Sequence, residues 1–177
     1  MRQDELSFYY LNLPDELKDA LSTQLTALIT PSKSNDPFEN GFNDAIKDLS
    51  ALLNETLDDR DVFEGRVSKA GFRVKYPSIA LRFPKIAYLK DILCQSFLFS
   101  QKAALEEALD TIAKNLTQEQ CALFHRGIAE LAKHAICHCH YYHESSITGQ
   151  DRRYLFYAGK TTLLNKCHKH IGAIMLQ

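Results

Sequence analysis

The chain of 177 residues lacks the marks of an exported or membrane-inserted protein. Nowhere do about 18 apolar residues run without interruption, the length that a membrane-spanning helix needs. The closest stretch, Ile171 to Leu176, is far shorter. The first residues, Met1-Arg2-Gln3-Asp4-Glu5, carry acids where a secretory leader needs bases, and no apolar core follows them. The five cysteines are sparse and odd in number, whereas a disulfide scaffold is small, even-numbered and dense in cysteine. Together these absences predict a cytoplasmic protein in a reducing compartment, with no membrane insertion.

Catalytic fingerprints are equally scarce. Ala158-Gly159-Lys160-Thr161-Thr162 has the shape of the end of a phosphate-binding loop, but Tyr154 stands where the first glycine is required and the setting is helical. His143-Glu144-Ser145-Ser146 sets imidazole, acid and hydroxyl side by side without the nucleophile elbow or the spatial separation that a triad uses. Cys121 and His125, one helical turn apart, lack a third orienting group. The expectation is a protein that is not an enzyme.

What the chain does have is an ordinary globular composition, 45% hydrophobic and 24% charged. One domain spanning residues 1–177 follows, large enough to bury roughly 70% of the surface its unfolded chain exposes. Its formal net charge of −1 hides a segregation along the chain. Residues 1–59 hold 4 Lys/Arg against 12 Asp/Glu, residues 60–90 hold 8 against 2, and residues 91–177 hold 9 against 8. An acidic helical part, a basic middle and a nearly neutral helical part are thus laid end to end.

Hydrophobic spacing predicts helices in the first and last parts. Pro14-Asp15-Glu16 opens a helix with proline in the first turn and carboxylates at the positive end of the macrodipole, and Leu17, Leu21, Leu25, Leu28 and Ile29 form its apolar stripe. Asp36-Pro37-Phe38-Glu39 starts a second helix whose stripe is Phe38, Phe42, Ile46, Leu49, Leu53 and Leu57. After Pro84 a third stripe runs from Ile86 to Ile112. Thr117-Gln118-Glu119-Gln120 is a capping box for a long fourth helix reaching about His143, and a fifth begins near Asp151.

Between residues 60 and 84 the period changes from about 3.6 to 2. Phe72, Val74 and Tyr76 alternate with Arg73 and Lys75; after Pro77-Ser78, Ile79, Leu81 and Phe83 alternate with Ala80 and Arg82. With a strand over Phe63 to Val67 in front, the register closes into a three-stranded antiparallel meander. The predicted class is therefore α+β, predominantly α-helical: four to five helices packed on that small sheet. The same register lines up Arg66, Arg73 and Arg82 across the opposite face, with Lys75 nearby. Like charges directly opposite destabilise a sheet, so this row reads as an anion- or partner-binding surface.

Every histidine lies after residue 124, interleaved with four of the cysteines. Imidazole and thiolate are the ligands zinc prefers, and the best four-ligand set takes Cys139 and His143 from one helix and Cys167 and His170 from the next. A structural zinc is the one cofactor this pattern could hold; the plainer alternative packs the cysteines as small hydrophobes and leaves the histidines at the helix surface. Tyr141, Tyr142, Tyr154 and Tyr157 gather aromatic groups between the fourth and fifth helices, a residue type favoured at protein interfaces. The functional expectation is a non-enzymatic intracellular adaptor, chaperone, immunity or regulatory factor that binds another protein. The alternatives are a regulator contacting nucleic acid through the basic segment and a metal-binding protein.

Overall fold

A computed structural model describes residues 11–29, 37–54, 95–145 and 152–177, with side chains in the third stretch over 101–142. Five helices make up this part: α1 (Asp15–Thr26), α2 (Pro37–Asn54), α3 (Gln95–Asn115), α4 (Gln118–Ser145) and α5 (Arg152–Met175). No strand occurs among the described residues. The α+β expectation is corrected accordingly: the described residues are all-α, their apolar stripes closing helix against helix in one continuous core. Residues 60–84, on which the meander was placed, lie outside the described residues.

The helices form where their sequences carry start signals. α1 follows Pro14 and opens with Asp15 and Glu16. α4 is introduced by the expected capping box: Thr117 Oγ1 accepts from the Gln120 main-chain N–H at 3.0 Å, and Gln120 Oε1 accepts from the Thr117 N–H at 3.0 Å. Gln120 does a second job, its side-chain amide donating to the Leu11 carbonyl at 3.0 Å and so anchoring the segment before α1. There Asn12 takes a left-handed conformation (φ 55°), which asparagine tolerates, and the flanking Leu11 and Leu13 are both buried.

The stripes read from the spacing enter the core. Leu21 and Leu25 of α1 and Leu28 just beyond it, Phe38, Phe42, Ile46, Leu49 and Leu53 of α2, Leu105, Leu109 and Ile112 of α3, and Phe124, Ile128 and Leu131 of α4 are all buried. α5 behaves differently. It is buried on several sides at once, because α4 runs antiparallel along it, α2 crosses its first half and α3 flanks its second half. Tyr154, Ala158, Leu163, Leu164, Cys167 and Ile171 are buried, and so are Lys160, Thr161 and Thr162.

The α2–α5 crossing is a backbone-to-backbone contact. A Cβ at Gly41 would collide with the Phe156 carbonyl oxygen and stand 2.7 Å from the Lys160 nitrogen; one at Gly159 would collide with the Phe38 carbonyl oxygen. The two contacts are reciprocal, and each helix brings the same spacing to the crossing, Phe38-x-x-Gly41 and Phe156-x-x-Gly159. Only glycine lets main chains approach this closely. The approach places Lys160 over α2, where its ammonium donates to Asp44 at 2.7 Å and to Asp48 at 2.8 Å. The lysine side chain is only 3% exposed. Thr161 and Thr162 turn their hydroxyls back to the carbonyls of Tyr157 and Ala158, so no polar hydrogen is left facing the core.

Two outcomes follow from this crossing. Gly41→Ala and Gly159→Ala should each lower stability by about 2–4 kcal/mol in urea unfolding, since neither backbone can retreat without parting the helices. Gly172→Ala, whose added methyl meets only a histidine side chain, should lose far less. Lys160→Ala, which leaves two carboxylates facing each other without their cation, should cost about 3–5 kcal/mol.

Candidate functional site

Along α4, Glu130, His134, His138 and Tyr142 recur every fourth residue and so lie in one line on the helix surface. His134 is buried, its Nε2 3.2 Å from Glu130 Oε2, a contact that becomes an ion pair when the imidazole is protonated. His138 is also buried, and its Nδ1 lies 2.8 Å from the His134 carbonyl, which makes Nδ1 the protonated nitrogen in the neutral ring. The helix-surface expectation fails for these two histidines, which are both buried, His138 beneath the Tyr157 ring of α5.

From His138 the line passes into a stack of flat groups contributed by both helices. The His138 ring lies on Tyr157, centroids 4.7 Å apart and planes 19° from parallel. Tyr157 lies in turn on Tyr142 at 5.8 Å and 12°. The Arg153 guanidinium lies over the Tyr142 ring, 4.6 Å from its centroid. Two edge-on rings buttress the stack, Phe156 against Tyr157 and Tyr141 against Tyr142. Burial falls along the stack: His138 is enclosed, Tyr157 and Tyr142 are half-buried, and Tyr141 and Arg153 are exposed. Each aromatic pair adds about 0.5–1.5 kcal/mol beyond the area it buries, so the outer rings are held in place before anything binds. The result is a preformed surface of tyrosine and arginine at the end of the hairpin.

The residues singled out from the sequence are distributed as follows. Arg66, Arg73, Lys75 and Arg82 lie outside the described residues, as does the His143 side chain. Cys139 and Cys167 are both fully enclosed in the α4–α5 core, the Cys139 thiol 3.9 Å from the Tyr154 carbonyl. His170 is turned toward α3, where its Nε2 meets Asp110 Oδ1 at 2.8 Å on the rim of an open cavity of about 540 Å³ that Lys114, Ala173 and Ile174 also line. Among the described residues no group of three or more His, Cys, Asp and Glu side chains gathers as a metal site would require. The Gly159-Lys160-Thr161-Thr162 fragment sits in the middle of α5 as helix–helix contact and buried ion pair.

Sequence reasoning missed the buried cation and the continuous stack. A signal for the first existed: Asp44 and Asp48 stand one turn apart on the core side of an apolar helix, where an acid needs a partner. For the second, only the tyrosines were visible; that His138 and Arg153 would extend them depends on the antiparallel pairing of α4 with α5.

Burial sets the chemistry of the thiols. It pushes the Cys167 thiol up to about 12 and the Cys139 thiol higher still, against an ordinary value near 8.5, so neither forms a thiolate in the native protein. In the folded protein at about pH 8, a thiol reagent should leave both unmodified, and mass spectrometry should find them labelled only at the rate of unfolding. When the chain is compared with protein-family models, with curated proteins and with solved structures, nothing matches it.

Proposed function

We propose that this chain is a non-enzymatic, intracellular helical adaptor or regulatory factor that binds another protein through the Tyr141–Tyr142–Arg153 surface. One observation carries the reading: the exposed Tyr141 and Arg153 both pack against the half-buried Tyr142 ring, which stacks in turn on Tyr157. Tyrosine and arginine are the side chains that dominate binding energy at protein interfaces, because each buries a large apolar area and keeps a polar edge. Holding them in position beforehand removes much of the rotamer entropy that an interface otherwise loses on association. Tyr141 at 41%, Met175 at 42% and Leu176 at 90% are the large apolar side chains left exposed among the described residues, and Tyr141 packs edge-on against Tyr142, the ring over which Arg153 lies. Among the described residues no helix is long and apolar enough to cross a membrane. The reading needs no cofactor.

The test is an affinity measurement on the complex recovered from native cells after nuclease treatment. Tyr141→Ser combined with Arg153→Ser should weaken the complex by at least about tenfold while leaving the circular-dichroism melting curve close to wild type. Charge reversal of Arg66, Arg73 and Arg82 to Glu serves as the comparison. If only that variant loses the complex, the basic segment is the contact and the aromatic surface is not. A complex that disappears with nuclease replaces a protein partner by nucleic acid, and its affinity should then fall steeply with salt.

A further inference from the structure

His125 on α4 and His168 on α5 lie ring on ring, centroids 3.9 Å apart and planes 18° from parallel. Both are half-buried. Residue 172, one turn further along α5, makes this approach feasible: it is glycine, and a Cβ there would stand 3.2 Å from His125 Nε2. The pair therefore joins α4 to α5 in the half of the hairpin remote from the aromatic stack, His168 lying about 22 Å along α5 from Arg153.

Among the described residues, no carboxylate is seen paired with either ring to serve as a counter-charge for two imidazolium ions. On α4 the titratable group one turn away is Cys121, whose thiol burial pushes up and keeps neutral, and the sequence neighbour Arg126 is itself a cation. On α5 the neighbours are Cys167, a neutral buried thiol, and Lys169, another cation. α3 brings carboxylates to α5, but Glu106 and Asp110 are engaged by Lys166 and His170, about 160° around the helix from residue 168. α2 meets α5 at Gly159 and Lys160, more than a turn away, and α1 packs on α2 and α3. Burial holds both rings below the ordinary histidine value, and for His168 the charge of His125 pushes in the same direction.

We propose that the His125–His168 stack is an acid-sensitive latch: neutral rings hold the first half of α4 against the second half of α5, and protonation parts them. The sign follows from linkage. Unfolded or opened chain takes up protons at the ordinary histidine value near 6.5, while the closed pair resists, so closure is fully favoured above that pH and loses free energy as pH falls through it toward the lowered values of the stack. His134, His138 and His170 are present in wild type and variant alike, so what they contribute is common to both proteins.

Hydrogen exchange of the full chain at about pH 7.2 and about pH 5.2, corrected for intrinsic rates, tests this on wild type and on the His125→Phe/His168→Phe double variant, which keeps two stacked rings. In wild type the amides of residues 121–128 and 164–172 should lose protection on the order of tenfold at the lower pH, with α2 unaffected, and the double variant should keep its protection. Equal losses in both proteins, or a loss spread evenly over α2 and α5, would overturn the latch. Should the double variant fail to fold, proton NMR of the wild-type imidazole rings decides: both titrating below the ordinary range upholds the proposal, and titration at the ordinary value ends it.

Discussion

The contact on which the rest of the structure depends is the bare-backbone crossing of α2 and α5. With any side chain at residue 41 or 159 the helices would stand apart. Lys160 would then reach Asp44 and Asp48 only through water, as an ordinary surface pair. The glycines and the ion triad support each other. Close approach dries the lysine, and the two carboxylates make a buried cation tolerable in a core built mainly from apolar side chains. An apolar side chain at residue 160 could fill the same space, so the triad contributes specificity more than net stability: it lets α5 meet α2 at one rotation only, the one that aims Lys160 at two aspartates a turn apart.

That rotation decides what α5 offers on its other sides. With Gly159 and Lys160 turned to α2, the Tyr157 side of the helix faces α4, and the stack from His138 outward is assembled there. The stack runs from a buried imidazole to an exposed phenol and a guanidinium without a break, so order in the core extends to the surface of the hairpin end. A binding surface built this way takes its rigidity from the fold, whereas one made of isolated exposed tyrosines would have to be ordered by the partner.

The histidines show how little residue type alone decides. His138 is a buried stacking group held by a carbonyl one turn back, His125 and His168 share one face-to-face contact between helices, and His170 is a partly exposed side chain on an aspartate of α3. Seven histidines and four cysteines crowded into one stretch read as a metal pattern in one dimension. In three dimensions Cys139 and Cys167 are sealed in the core as thiols while His170 points to a different helix. Ligand spacing along a chain carries information only when the rotation of both helices is known.

Local physics was sufficient for the helices and for much of the core. The stripes Leu21-Leu25-Leu28 and Phe38-Phe42-Ile46-Leu49, the start of α1 at Pro14 and the Thr117–Gln120 box are legible because caps and amphipathic faces depend on residues a few positions apart. The class of the fold was not legible. Alternation between Phe72 and Phe83 describes what those residues would do as strands, and says nothing about whether the helices leave a face for a sheet to cover. α5 was the hardest element, since a helix enclosed on several sides has no polar face and hence no periodic signal, and its buried Lys160 resembles a surface residue. The chain by itself determined which segments are helical and which of their faces seek the core. Tertiary structure alone decided that α5 lies at the centre, that a lysine belongs inside, and that one histidine, two tyrosines and an arginine form a single stack. Those outcomes depend on how two helices are rotated against each other, a quantity set by contacts more than a hundred residues apart.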